Sequence, residues 1–282
     1  MKTTAHTKQL GIIGDPVDHS FSPVMHNFIS EITGNDYIYS AWRVTDVEHA
    51  VKGIRALGIR GVNVTAPHKK AVIPYLDEVD ERAKLLGSVN TIVNTDGHLK
   101  GYNTDADGFY TSLEKSNIEI AGKHILIIGA GGVTEPVLIR FSYEKPASVT
   151  VINRTRQKAE ALGERVFEKT GMKINTKLCR DAFDVIINTT SAGMEPQLDA
   201  LPTDAIDGVD VRDFLNERTA AADMIYNPDE TLFLKEAKKR GAKTLNGLGM
   251  LIYQGIIAYE LFTGAKLDDG IYGRIKSEVF MR

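Results

Sequence analysis

His124-Ile125-Leu126-Ile127-Ile128-Gly129-Ala130-Gly131-Gly132 runs an unbroken aliphatic segment straight into a glycine turn, and its reading decides the fold. Aliphatic residues without polar alternation describe a strand buried on both faces, as in parallel sheets. Gly129 permits a tight turn, and Gly131 lets backbone amides approach a ligand. The N-terminus of the following helix stabilises negative charge. Strand, turn and helix together form a cradle for the pyrophosphate of a dinucleotide. The third position of the fingerprint is Thr134 rather than glycine, which leaves the helix packing open. Pro136 falls in the first helical turn, where the missing amide would have had no intrahelical partner. Taken alone, such a turn is equally a structural feature of any α/β sheet.

Working outward, Ser148 to Ile152 is the next strand, and it ends at Asn153-Arg154-Thr155-Arg156. Sites for NAD place an acidic residue about 20 positions past the glycine turn, on the ribose 2′-hydroxyl. No carboxylate stands here, but two guanidiniums do. Arginine holds phosphate through paired, charge-assisted bonds, so the fit is to the 2′-phosphate of NADP. A solvated basic helix start is the plainer alternative. Cations at a helix N-terminus are mildly unfavourable, however, which favours a ligand. Val185–Asn188, Ala221–Ile225 and Lys243-Thr244 supply further strands, with helices at Arg156–Glu168 and Thr231–Arg240. The loop from Gly193 to Asp210, rich in Asp and Pro, offers no readable element.

The first third alternates in the same way, giving an α/β chain with largely parallel sheets. Gln9–Ile13, Tyr37–Val44, Gly61–Val64 and Val89–Val93 read as strands, and Asp96-Gly97 as a hairpin turn into His98-Leu99-Lys100. A helix starts at Ser22-Pro23 and runs to about Ile32. Another buries Val47, Ala50, Val51, Ile54 and Leu57. Thr104 reads as the N-cap of a helix linking two domains. The expected partition is 1–105, completed by 248–282, and 106–247.

Composition bounds the function. The chain has 282 residues, 43% hydrophobic and 25% charged, enough for two modest domains with cores. A net charge of -3 provides no basic stripe for nucleic acid and no polybasic membrane surface. The single Cys179 excludes an internal disulfide and a cysteine metal cluster, and fits a reducing compartment. No charged-then-apolar leader opens the sequence, so a secretory signal is not expected. The apolar run Gly247–Ile257 is broken by Gln254 and reads as a buried helix, not a span. His19 and His26 are not spaced as metal ligands, and no metal is expected.

The chemistry concentrates near Gly61-Val62-Asn63-Val64-Thr65-Ala66-Pro67-His68-Lys69, a short strand stopped by proline that leaves Asn63, Thr65 and Lys69 near one mouth. This N-V-T-x-P-x-K pattern resembles the substrate-site signature of the shikimate dehydrogenases. Other motifs resemble that family in order: His19-Ser20-Phe21-Ser22-Pro23, Gly87-Ser88-Val89-Asn90-Thr91, and Gly101-Tyr102-Asn103-Thr104-Asp105. Gly129-Ala130-Gly131-Gly132 and Asn153-Arg154-Thr155 follow, then Asp223-Met224-Ile225-Tyr226 and Gly247-Leu248-Gly249-Met250-Leu251-Ile252-Tyr253-Gln254. The resemblance spans Gly11 to about Gly264.

It implies an N-terminal α/β substrate domain, a Rossmann-like dinucleotide-binding domain, and a C-terminal helix returning to the first. The implied activity is reversible NADPH-dependent reduction of 3-dehydroshikimate to shikimate, in the pathway to aromatic amino acids, by a cytoplasmic monomer or homodimer. Lys69 and Asp105 are the implied catalytic pair. Hydride reduction of a ketone leaves an alkoxide that must take a proton, which a positioned ammonium can supply. Ser20, Ser22, Asn63, Thr65, Asn90, Asp105, Tyr226 and Gln254 are the implied substrate ligands. On the cofactor side stand Glu81, Gly129, Ala130, Gly131, Gly132, Val133, Asn153, Arg154, Thr155, Arg156, Lys158, Thr189, Thr190, Met224, Gly247 and Met250.

Plainer roles exist for most of these residues. Ser22 would cap a helix starting at Pro23, Asn90 would serve a turn, Met224 and Met250 would fill core, and Glu81 would sit on a solvated helix face. Lys69 would be a solvated lysine and His68 a packing or surface residue. Two rival functions stay open: a quinate/shikimate dehydrogenase using NAD, and a non-catalytic ligand-sensing relative.

Overall fold

In the computed structural model, which describes residues 3–178 and 182–281, the chain divides into two units, 1–108 with 252–282, and 109–251. Cys179 lies outside the described residues. The boundaries fall inside two continuous helices, α4 (Asp105–Lys115) and α8 (Leu248–Thr263), a few residues beyond those expected.

The second unit is built on β7 (His124–Ile128), β8 (Ser148–Ile152), β9 (Ile174–Asn175), β10 (Val185–Asn188), β11 (Ala220–Asp223) and β12 (Lys243–Leu245). They form one parallel sheet in the order β12-β11-β10-β7-β8-β9, the doubly wound arrangement. The aliphatic run of β7 explains its central place. Ile125 and Ile127 enter one core cluster with Phe109, Leu113 and Phe141, while Leu126 and Ile128 enter another with Phe233 and Leu234. Burying each such side chain contributes roughly 1.5–3 kcal/mol, and no surface position in the sheet would supply that. Helices α5 (Thr134–Ser142), α6 (Arg156–Thr170) and α7 (Leu232–Lys239) complete the layers.

In the first unit a sheet of order β2-β1-β3-β5-β6-β4 combines β1 (Lys8–Gly14), β2 (Tyr37–Arg43), β3 (Gly61–Val64), β4 (Glu78–Val79), β5 (Thr91–Thr95) and β6 (His98–Tyr102). The sheet is mixed, not largely parallel: β3 pairs antiparallel to β5, and β5 to β6. The hairpin stands at the expected place, with positive φ at both Asp96 (51°) and Gly97 (90°). That is the requirement of a turn matching strand twist. Helices α1 (Ser22–Thr33), α2 (Val47–Ala56), α3 (Glu81–Leu86) and the short α9 (Ile271–Ile275) pack around this sheet.

Four local expectations are corrected. Leu57 is 76% exposed, because α2 ends at Ala56 before its last apolar position turns inward. The fifth strand begins at Thr91, not Val89. Ser22 is the first residue of α1 rather than its cap, and the residue before it, Phe21, makes no side-chain cap bond. Thr104 stands at the N-cap position of α4 as expected, its carbonyl accepting from Gly108 N at 2.8 Å, but its hydroxyl is taken by Asn90, and the amide of Asp105 is met by Asn103 Oδ1 at 3.1 Å. α8 is the buried helix expected, and among the described residues no helix is long and apolar enough to cross a membrane.

His26, on α1, stacks flat on Tyr39 at 4.3 Å between ring centroids and has no partner for Nδ1 among the described residues. Burial lowers its pKa from 6.5 to about 3, since a buried imidazolium here would be unpaired. The unfolded chain therefore takes the proton first, and stability is lost as pH falls from 6.5 toward 3. That loss should reach roughly 3 kcal/mol by about pH 4. His26→Leu should flatten that part of the profile, which urea unfolding of both proteins across this range would read. Parallel profiles would exclude His26 as the source.

Candidate active site

In the first unit, β3 ends at Val64 and the Thr65 amide donates to Ile13 O, fixing the chain beside β1. The backbone then turns, and Lys69 O accepts from Val89 N at 2.8 Å. With its main chain pinned, Lys69 reaches Asp105 at the start of α4, Nζ to Oδ2 at 2.7 Å. The two side chains are 34% and 24% exposed, so the pair is sheltered but open to a small molecule. Asn90 Nδ2 donates to the other oxygen, Asp105 Oδ1, at 2.9 Å.

Asn90 is buried, and its amide is committed to Thr91, Thr104 and Asp105. Both hydrogens of its side-chain amide are used, on Thr104 and Asp105. Asn63 is also buried: Nδ2 serves Thr91 and the Asn90 carbonyl, and Oδ1 accepts from Tyr39 Oη at 2.7 Å. One lone pair of that carbonyl remains for a ligand hydroxyl. Ser20 Oγ accepts from the Ser22 amide at 3.2 Å, leaving its own proton to donate. The Tyr39 phenol is fully buried, and burial raises its pKa well above its ordinary value. Tyr39 was missed from sequence, because an aromatic in a strand reads as core and nothing marked its hydroxyl. Thr65 and Gln254 are half-buried in the same unit. Gln254 reaches its place because Gly108 carries no side chain: a Cβ there would stand 2.6 Å from the Gln254 amide nitrogen. His68 is buried, with Nε2 2.7 Å from Val44 O, a packing residue. Glu81 is exposed at the start of α3.

The second unit holds a cavity of about 790 Å³ at the carboxyl ends of β7, β8 and β10, within the usual size of ligand sites. Gly129, Ala130, Gly131, Asn153, Arg154, Thr155, Lys158 and Thr190 line it. At Gly129 φ is +115°, and a Cβ there would stand 2.6 Å from Thr189 Oγ1, so only glycine fits the turn. Thr134 replaces the third glycine without strain. Its hydroxyl lies 2.9 Å from Thr189 Oγ1 and 3.3 Å from Gly129 O. Asn153 Oδ1 accepts from the Ala130 amide at 3.2 Å and ties the second strand to the glycine turn.

Arg154 lines the cavity with no ion pair or hydrogen bond among the described residues. Lys158, one helical turn on, lines it too. Arg156 does not: its Nε is bound to Glu160 at 2.8 Å on the outside of α6. The cationic pair at the cavity is therefore Arg154 with Lys158, not Arg154 with Arg156. Thr189 lies beneath the turn, and Met224 and Met250 pack against the core. Gly132, Val133 and Gly247 stand outside the cavity lining, and Tyr226 is 40% exposed in the turn after β11. The loop unreadable from sequence forms the opposite wall, through Leu198, Leu201, Pro202 and Ile206. No group of residues that could hold a metal occurs among the described residues. Open backbone at the glycine turn and an unpaired guanidinium fit a phosphorylated dinucleotide.

A doubly wound sheet with this turn, joined to a second α/β unit bearing a lysine–carboxylate pair, defines a dinucleotide-binding protein of the two-unit dehydrogenase class. Comparison with known proteins narrows this. Profiles of the shikimate dehydrogenase substrate binding domain, of shikimate / quinate 5-dehydrogenase, and of the shikimate 5'-dehydrogenase C-terminal domain match residues 12–92, 112–198 and 247–270. A shikimate dehydrogenase (NADP(+)) of Caldanaerobacter subterraneus subsp. tengcongensis is 41% identical, covering 99% of this chain and 100% of its own. Shikimate 5-dehydrogenase from Thermus thermophilus, solved with NADP(H) and shikimate, superposes with TM-score 0.82 at 34% identity, covering 97% of this chain and 100% of its own. The Listeria monocytogenes enzyme, solved with shikimate and NAD, has TM-score 0.89 at 32% identity, covering 99% of both chains. The chain belongs to the shikimate dehydrogenase family.

Proposed function

We propose that this protein reversibly reduces 3-dehydroshikimate to shikimate with NADPH, in the route to aromatic amino acids. The observation that carries the reading is the Lys69–Asp105 pair, 2.7 Å apart and partly open. NADPH supplies the hydride when bound. Lys69 gives a proton to the alkoxide as it forms and stabilises its charge. Asp105, itself held by Asn90, keeps the ammonium aimed and accepts from a ring hydroxyl. The donors Ser20 and Ser22 suit the substrate carboxylate. Asn63, Thr65 and Gln254 suit the hydroxylated ring. Arg154 and Lys158 would hold the 2′-phosphate at the cavity of the second unit, with the glycine turn on the pyrophosphate.

In this reading 1–105 with 248–282 serves the substrate and 106–247 the cofactor. The enzyme works in the cytoplasm as a monomer or homodimer. The NAD-bound relative from Listeria gives the rival cofactor a specific basis. A rate assay with shikimate and quinate, each with NADP and NAD, separates the readings. Shikimate with NADP should give the highest kcat/KM. A preference for NAD, or for quinate, would select the rival dehydrogenase, and no turnover with any pair would select the ligand-sensing relative.

A further inference from the structure

Asp223 is fully buried at the end of β11, opposite Asn188 at the end of β10. Among the described residues no cation meets it. Its Oδ1 accepts from Asn188 Nδ2 at 3.1 Å and from the Ile225 amide at 3.0 Å, and its Oδ2 from Thr231 Oγ1 at 2.7 Å. Burial raises its pKa against those three bonds. A carboxylate kept in such a place by neutral donors alone needs a reason beyond core filling, where an apolar residue would stabilise more.

Asn188 shows the reason. Its Oδ1 accepts from the amide of Thr190 at 2.9 Å and from Thr190 Oγ1 at 2.7 Å. Its Nδ2 donates to Ala192 O at 3.2 Å as well as to Asp223. Every donor and acceptor of the amide is thus used, and flipping it would break all four bonds. Thr190, Ser191 and Ala192 form a wall of the cavity in the second unit. On its other side Asp223 fixes Ile225, just past Met224, and Thr231, the N-cap of α7.

We infer that Asp223 is a positioning residue for the cofactor, setting the 190–192 wall through the orientation of Asn188. This rests on the reading that the cavity holds NADP. Removing the carboxylate frees the Asn188 amide to turn, and the wall loses the shape that the dinucleotide meets.

The test is NADP affinity by calorimetry, with shikimate affinity and thermal midpoint measured on the same samples. Asp223→Ala should weaken NADP roughly tenfold or more, with shikimate affinity unchanged. Asp223→Asn keeps an acceptor for Asn188 and can donate to Thr231, so it should bind NADP within a few-fold of wild type. Asn188→Ala should match Asp223→Ala, and the double variant should lose no more than either alone, because both cut one linkage. Should Asp223→Ala fail to fold, Asp223→Ser, too short to reach Asn188, takes its place with the same expectation. A lowered midpoint with unchanged NADP affinity would overturn the inference, as would additive losses. Failure of the wild type to bind NADP while still binding shikimate would instead overturn the cofactor reading itself.

Discussion

Lys69→Ala is expected to lower kcat by about 10²–10⁴-fold, the usual contribution of a positioned general acid. Lys69 is held for that role from both ends: Val89 pins its carbonyl, and Asp105 receives its ammonium at 2.7 Å. Its loss leaves the forming alkoxide without a proton source, which an alanine cannot replace. NADP affinity should stay within a few-fold of wild type, because Lys69 belongs to the first unit and the dinucleotide cavity to the second. Lys70→Ala is the matched control, since Lys70 is exposed and forms no ion pair among the described residues. Steady-state rates with shikimate and NADP, together with a binding titration, check both parts. A near-normal kcat for Lys69→Ala would reduce Lys69 to a surface lysine and remove the catalytic reading.

Arg154→Ala should weaken NADP by roughly ten- to a hundredfold while leaving NAD nearly unchanged. A hydrogen bond to a charged group contributes roughly 1.5–3 kcal/mol, and about 1.4 kcal/mol is tenfold in affinity. NAD lacks the 2′-phosphate that the guanidinium would hold. Arg154 is the right residue to cut because it lines the cavity with no partner among the described residues, whereas Arg156 is already tied to Glu160. Arg156→Ala should therefore change NADP affinity little. Dissociation constants of both cofactors for the two variants decide the matter. Equal weakening of NADP and NAD by Arg154→Ala would mean that the arginine supports the unit, not the phosphate.

Periodicity and turn chemistry made most elements legible. The aliphatic run of β7 had to lie between two apolar layers, and both core clusters share it. Asp96-Gly97 had to turn, because few other pairs tolerate positive φ at both positions. Capping read less well. Ser22 and Thr104 both look like caps, yet Ser22 lies inside α1 and the Thr104 hydroxyl is taken by Asn90, from another part of the fold. Local preference proposes such a bond, and a better partner arriving from elsewhere in the fold overrides it.

The site divides along the same line. From residue order alone came the dinucleotide turn and the basic end of the second strand, because residue type limits what chemistry a position can do; Lys69 and Asp105 as partners came from the family resemblance, since either alone reads as structural. Only the tertiary structure decided which cation faces the cavity, since Arg154, Arg156 and Lys158 share one segment and differ in the side of the chain on which each projects. The same holds for Asn90, which turned out to hold Asp105, and for Asp223 beside Asn188. Those pairings join residues 15 and 35 positions apart, and hydrogen-bond geometry at that separation is set by how strands align, not by local sequence.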